Sequence, residues 1–118
     1  MKIVFEVDYT GIPSAVHTIP VMASVGISET KNINNYKVIF RDRSNLETTK
    51  MPGIQFAASK VILDEANDRL IGAHILGPHA EETINIFAAV MRLRLKVSDI
   101  QKMIFTYPTV FSDIPYML

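Results

Sequence analysis

Apolar and polar residues alternate along several stretches of the chain, which predicts a sheet of short strands. Residues 36–43 (YKVIFRDR) alternate with period two, as a half-buried strand does, and the pattern assigns their basic side chains to the polar face. Residues 59–64 and 69–76 flank the polar connection EAND and predict a hairpin. Residues 14–28 predict extended chain interrupted by a proline. Within the hairpin, Gly72 indicates either a bulge or the close approach of another backbone.

Residues 77–95 (GPHAEETINIFAAVMRLRL) predict the main helix. Acidic residues fall in its first turn and basic residues in its last, as the helix dipole favours. The helix has two apolar stripes, of which one would cover the sheet and the other needs a further partner. The first stripe is Ile84, Phe87, Ala88, Met91 and Leu95, and the second is Ile86, Ala89, Val90 and Leu93.

A shorter helix is predicted after residue 97, where Ser98 and Gln101 have the spacing of a capping box. Together these elements predict an α+β fold. We expect an antiparallel sheet of about four or five strands, with two main helices packed on one face.

The chain ends on residues 105–118 (FTYPTVFSDIPYML), in which Asp113 is the one charged side chain. Chain ends are usually polar and frayed, so this tail is expected to be covered by something. Ten apolar residues lie from Met103 to Leu118. Each of them would contribute about 1.5–3 kcal/mol if it were buried.

Composition narrows the range of functions. The 118 residues suit one domain, and the formal net charge of zero gives no nucleic-acid footprint. No apolar run is long enough for a membrane span, and the first residues do not resemble a signal peptide, so we expect a cytoplasmic protein. Without cysteine the chain has no disulfide and no thiolate nucleophile. The three histidines, His17, His74 and His79, lack ligand spacing, so no metal site is expected. His17 is interpreted as a structural residue of a loop or strand, His74 as a packed, hydrogen-bonded residue and His79 as a solvent-facing or interface residue.

Sequence motifs for nucleotide binding and hydrolysis are also absent. The five glycines form neither a G-x-G-x-x-G nor a P-loop pattern, and there is no G-x-S-x-G. No nucleophile–base pair can be placed, so an autonomous enzyme is disfavoured.

Two segments resemble one known family. Residues 18–29 (TIPVMASVGISE) are similar to T-x-P-x-x-A-S-V-G-[LI]-[ST]-E, which opens the C-terminal dimerisation domain of pyridine nucleotide–disulfide oxidoreductases. Residues 69–85 (RLIGAHILGPHAEETIN) are similar to a second motif of that domain, and YPT at residues 107–109 falls where the family has H-P-T. The family includes glutathione reductase, dihydrolipoamide dehydrogenase and mercuric reductase.

The resemblance implies a fragment of a longer, divergent enzyme, with a lead-in at residues 1–11 and the dimerisation domain at residues 12–118. It implies FAD and NAD(P)H as cofactors of the full-length parent, held by FAD and NAD(P) domains outside this chain, with none bound to the fragment. It also implies a homodimer in which the tail reaches the flavin and substrate site of the partner subunit. A covered tail and a covered second helix stripe would both follow from that dimer.

The site residues depart from the family pattern. Tyr107 stands at the position of the catalytic His, and Ser112 stands where the family has the Glu that orients it. A tyrosine has an ordinary pKa of about 10 and acts at neutral pH mainly as a hydrogen-bond donor. Tyr107 is therefore either a hydroxyl facing flavin or substrate or an ordinary interface aromatic. Pro108 would place the preceding carbonyl near the flavin or would simply form a turn. Asp113 is either a substitute acid or a carboxylate that satisfies backbone donors or water.

A second function remains open. A free-standing small α+β module could use the same apolar surface to bind a ligand or a protein. The substrate of the parent, its choice of NADH or NADPH and the presence of an upstream Cys pair are not encoded in these residues.

Overall fold

Five antiparallel strands form one sheet in the order β1-β2-β5-β4-β3. The computed structural model describes residues 6–28, 35–49 and 56–118. The predicted α+β fold with a sheet of four or five strands is confirmed. The strands are β1 (Ser14–Val16), β2 (Met22–Gly26), β3 (Lys37–Asp42), β4 (Ala58–Asp64) and β5 (Arg69–Leu76).

The predicted hairpin joins β4 and β5 at the centre of the sheet, and Gly72 fits both of its interpretations. Ile62 lies opposite Gly72 whereas Leu63 lies opposite Leu70, so the register shifts by one residue. A Cβ atom on Gly72 would lie 2.3 Å from the carbonyl oxygen of Ile27. Only glycine therefore lets these two backbones approach so closely.

Within the described ranges, one long helix and two short ones accompany the sheet, and two single 3-10 turns lie between the other elements. The core is apolar and lies between the sheet and the long helix α1, which contacts β5 and β2. The helices are α1 (Ala80–Arg92), α2 (Val97–Gln101) and α3 (Ile114–Met117), and the 3-10 turns are Glu47–Thr49 and Phe111–Asp113.

The second apolar stripe of α1 is partly covered by the chain itself, and only part of it is exposed. Val90 is buried within the chain, Ile86 is half-buried, and Ala89 and Leu93 are exposed. The expectation that the whole stripe needs another partner was therefore wrong for Val90. Val90 lies three residues from the buried Phe87, about 60° around the helix, so the edge of the second stripe shares the core of the first.

The N-terminal segment of the chain lies along α1. The Arg92 guanidinium donates from Nη1 to the carbonyl oxygens of Asp8 (3.1 Å) and Thr10 (2.8 Å). Gly11 has φ 67°, and a Cβ atom there would lie 2.9 Å from the carbonyl oxygen of Ala88. The described part of the lead-in is thus packed against the domain, while the boundary between residues 11 and 12 stays a prediction.

The capping box expected at Ser98 was wrong, because the N-cap of α2 is Lys96, two residues earlier. The Asp99 carboxylate accepts the backbone N–H of Lys96 at 2.8 Å. The Ser98 hydroxyl instead donates to the carboxylate of Asp68 at 2.6 Å. That contact ties α2 to the turn of the β4–β5 hairpin, a tertiary partner that the local spacing could not reveal.

The end of the tail is covered by the chain itself. Ile114 and Met117 are each 0% exposed, and α3, which carries them, contacts β3 and β4. The Arg41 guanidinium lies 5.7 Å from the ring centroid of Tyr116 and donates from Nε to its carbonyl oxygen at 3.2 Å. The expectation that a partner covers the whole tail was therefore wrong for these last residues.

Across the described ranges, no helix combines the length and the apolar character needed to cross a membrane.

Candidate functional site

A hydrogen-bonded turn presents the predicted site residues in the middle of the tail. The Thr109 hydroxyl donates to the carbonyl oxygen of Thr106 at 2.6 Å. The Ser112 hydroxyl donates to the carbonyl oxygen of Thr109, also at 2.6 Å, and accepts the backbone N–H of Thr109 at 3.1 Å. Ser112, at the position of the family's orienting Glu, thus serves to close this turn.

Tyr107 and Pro108 lie at the tip of the turn, joined by a cis peptide bond. Tyr107 is 83% exposed, and its hydroxyl has no hydrogen-bond partner among the residues the structure describes. Pro108 is exposed as well. Both side chains are therefore exposed among the described residues and available for contact with another molecule or domain.

An open groove of about 970 Å³ lies beside the turn. Phe105 and Phe111 pack edge to face with ring centroids 6.3 Å apart, and both rest on the core. Ile104, beside them, is 96% exposed. The groove is lined by residues 104–106 and 108–111 together with Thr48, His79 and Glu82.

Asp113 lies at the base of the turn. It accepts a hydrogen bond from the hydroxyl of Thr48, and its backbone N–H donates to Val110 at 3.2 Å. It is half-buried and is not part of the groove lining. The structure thus brings Pro108 to the groove and Asp113 to a neighbouring 3-10 turn. The cofactor-binding role of Pro108 and the catalytic role of Asp113 stay predictions.

Arg43 is a buried arginine that the sequence pattern placed wrongly. The alternation assigned it to the polar face of a strand, but β3 ends at Asp42 and Arg43 is only 1% exposed. Its Nη2 donates to the carbonyl oxygens of Ala58 (3.3 Å) and Leu76 (3.4 Å). Within the described ranges its Nε and Nη1 have no partner. Burial lowers the pKa of this guanidinium, and the negative charge of Asp113 acts against that change.

His74 and Ser24 form a structural pair across β5 and β2. The His74 ring lies 2.8 Å from the Ser24 hydroxyl through Nδ1 and 2.8 Å from the carbonyl oxygen of Ile27 through Nε2. A carbonyl can only accept, so Nε2 carries a hydrogen. The ring thereby joins β5 to Ser24 within β2 and to Ile27 just after it, as its interpretation as a packed, hydrogen-bonded His requires.

Comparison with known proteins decides the family. The model of the pyridine nucleotide-disulphide oxidoreductase dimerisation domain matches residues 12–117. The chain belongs to this family. The predicted resemblance to the dimerisation domain is therefore confirmed.

The curated relatives differ greatly in length. The chain is 44% identical over 116 residues to an uncharacterized 19.7 kDa protein in a mercuric resistance operon of Staphylococcus aureus, and covers 64% of that protein. It is 32% identical over 117 residues to dihydrolipoyl dehydrogenase 3 of Haloarcula marismortui, of which it covers 22%. It is 30% identical over 107 residues to trypanothione reductase of Leishmania donovani, again covering 22%. The chain thus spans about a fifth of the length of these named oxidoreductases.

Solved structures share the fold. The HOCl-induced flavoprotein disulfide reductase RclA of Escherichia coli superimposes with a TM-score of 0.82 at 24% identity, over 90% of this chain and 25% of that one. LpdA of Mycobacterium tuberculosis gives a TM-score of 0.79 at 21% identity, over 97% of this chain and 26% of that one. In both cases the similarity covers about one quarter of the other chain.

Proposed function

We propose that this chain is the dimerisation domain of an FAD-dependent NAD(P)H oxidoreductase that resembles glutathione reductase. Two copies associate through the surface formed by residues 104–111, and each copy closes the flavin and substrate site of its partner. Family membership supports the general role, and the exposed surface of this segment supports the specific one.

The apolar exposure of this segment carries the proposal. Ile104 is 96% exposed and lines the groove, in which five of the ten lining residues are apolar, and Tyr107 is 83% exposed. A continuous apolar patch of this kind is uncommon on a monomer and is typical of an interface. In a two-fold homodimer the same patch of both copies forms the interface, so each copy would contribute its own Ile104 to it.

Tyr107 and Pro108 are the proposed contacts to flavin or substrate. When bound, FAD would supply the electron-transfer chemistry of the site. The exposed tip of the turn fits one wall of such a site, and no glycine-rich phosphate loop accompanies it, so the bulk of the cofactor would be held by other domains. The unpartnered hydroxyl of Tyr107 can donate one hydrogen bond there but cannot replace the base that a histidine provides near neutral pH.

Light scattering of the purified chain at micromolar concentration tests the interface. We expect a dimer, and we expect Ile104→Asp to yield a monomer because a charge would be placed in an apolar contact. Phe40→Asp is the matched control, since Phe40 is 60% exposed on the sheet and lies outside the groove lining. A wild-type chain that is a well-behaved monomer would contradict the proposal.

The resemblance assigns the position of the family's catalytic His to Tyr107, and a full-length enzyme can test whether Tyr107 acts as a base there. We expect the pH dependence of turnover near neutrality to be the same in Tyr107→Phe as in the wild type. Ordinary turnover of glutathione disulfide that disappears in Tyr107→Phe would show that this hydroxyl does acid–base work.

A free-standing binding module is the second candidate, and one observation favours it. The Staphylococcus aureus relative is a 19.7 kDa protein of which the matched region makes up 64%, so this domain occurs in a short protein. The same groove would then take an apolar ligand or protein segment. Flavin absorbance of the protein purified from its native source separates the two, since a module would lack the flavin bands.

A further inference from the structure

The segment that precedes the matched family region is held by its backbone rather than by its side chains. The family model begins at residue 12, so residues 8–11 lie outside it. Val7 is 61% exposed and Tyr9 is 73% exposed, so the burial of apolar side chains does not hold this segment in place. The contact that fixes its course therefore acts on its main chain.

One arginine supplies that contact. Arg92 is the last residue of α1, and its Nη1 donates to two carbonyl oxygens of the segment, at 3.1 Å to Asp8 and at 2.8 Å to Thr10. A hydrogen bond from a charged donor is about twice as strong as one between neutral groups. A single side chain thus holds the main chain of the segment at two points.

Two features of the segment itself fit it to this arginine. The Asp8 carboxylate accepts the backbone N–H of Thr10 at 2.9 Å, which closes residues 8–10 into a turn whose carbonyl oxygens both reach Arg92. Gly11 follows with φ 67°, and a Cβ atom there would lie 3.0 Å from Cγ of Arg92. The segment therefore lies directly on the stem of the side chain that binds it.

From these contacts we propose that Arg92 is a positioning residue, which fixes the course of residues 8–11 and thereby the direction from which a preceding domain joins this one. The inference rests on the proposed function, because it supposes that FAD and NAD(P) domains precede this segment in the parent enzyme. A fixed direction matters there, since the tail of one subunit must meet the flavin that the other subunit holds.

The distance between two spin labels, measured by pulsed electron paramagnetic resonance, tests the inference on this chain. The sequence has no cysteine, so Tyr9→Cys and Glu65→Cys place one label on the segment and one on the turn of the β4–β5 hairpin, both at exposed positions. Excess unlabelled chain ensures that a dimer carries a single pair of labels. We expect a narrow distance distribution, and a broader or displaced one when Arg92→Met is added.

Two further variants separate the contact from the general charge of this region. Arg94→Met is the matched control, because Arg94 is also exposed and lies two residues further along, whereas the described donor to the segment is Arg92. It should leave the distribution narrow. Arg92→Lys keeps the charge and should give a width between those of the wild type and Arg92→Met.

An equally narrow distribution at the same distance in Arg92→Met would overturn the inference, and so would a broad distribution in the chain that retains Arg92. If Arg92→Met does not fold by circular dichroism, Arg92→Gln decides in the same way, since its amide nitrogen reaches only as far as Nε of arginine. Light scattering on the same samples tests the dimer independently. A monomer with a narrow distribution would contradict the dimer and leave the role of Arg92 standing.

Discussion

The segment of residues 104–111 and the last turn, residues 114–117, both carry large apolar side chains but differ in what surrounds them. In the last turn, Ile114 and Met117 are three residues apart on one helical face and are both 0% exposed. In the preceding segment, Ile104 is 96% exposed. An apolar stretch therefore indicates that a surface is to be covered, but not whether the chain or a partner covers it.

The sharpest test of this difference compares two isoleucine truncations. We expect Ile114→Ala to lower the free energy of unfolding by about 2–5 kcal/mol, since it opens a cavity in a closed core. Ile104→Ala should have an effect that depends on protein concentration, because it weakens association. Chemical denaturation over a dilution series measures both, and equal, concentration-independent losses would remove the distinction.

A smaller effect is expected at the contact that fastens the last turn. Arg41→Met removes one hydrogen bond and one cation–π contact to Tyr116 and should cost about 1 kcal/mol. Thermal unfolding measures it, with Arg92→Met as a control that acts on the N-terminal segment. Release of the C-terminal turn, detected by limited proteolysis, should accompany the first variant only.

Acid should weaken the contact between α2 and the β4–β5 turn, which the Asp68 carboxylate makes with Ser98. The hydrogen bond from the Ser98 hydroxyl lowers the pKa of this carboxyl below its ordinary value of 3.8. A lowered folded-state pKa means that the stabilisation is present above pH 3.8 and is lost as the pH falls through the folded value. The melting temperature of Asp68→Asn, followed from neutral pH downwards, should show a smaller acid-induced decrease than that of the wild type.

The smallest effect on stability is expected at the tip. Tyr107→Phe removes an exposed, unpartnered hydroxyl and should change the free energy of unfolding by less than about 0.5 kcal/mol. Denaturation and turnover of a full-length enzyme can be measured on the same variant. A large loss of stability would show that Tyr107 has a partner within the fold and is not free to meet another subunit.

The sequence by itself determined the local elements and the family. Period-two alternation located β3 and the polar connection located the β4–β5 hairpin, because both depend on neighbouring residues. The motifs around residues 18–29 and 69–85 named the family for the same reason. The glycine at 72 left a bulge and a close backbone approach open, and the structure shows both. Tyr107 and Pro108 could be selected as candidates only through that resemblance.

Only the tertiary structure decided which surfaces meet. The burial of Arg43, the contact of Ser98 with Asp68 and the division of the tail into a covered and an open half all join residues that are distant in sequence. The tail residue Asp113 accepts from Thr48, 65 positions earlier, and no local pattern encodes such a pair. Hydrophobicity acts without direction, so the sequence shows how much apolar surface must be covered, and the packed fold determines what covers it.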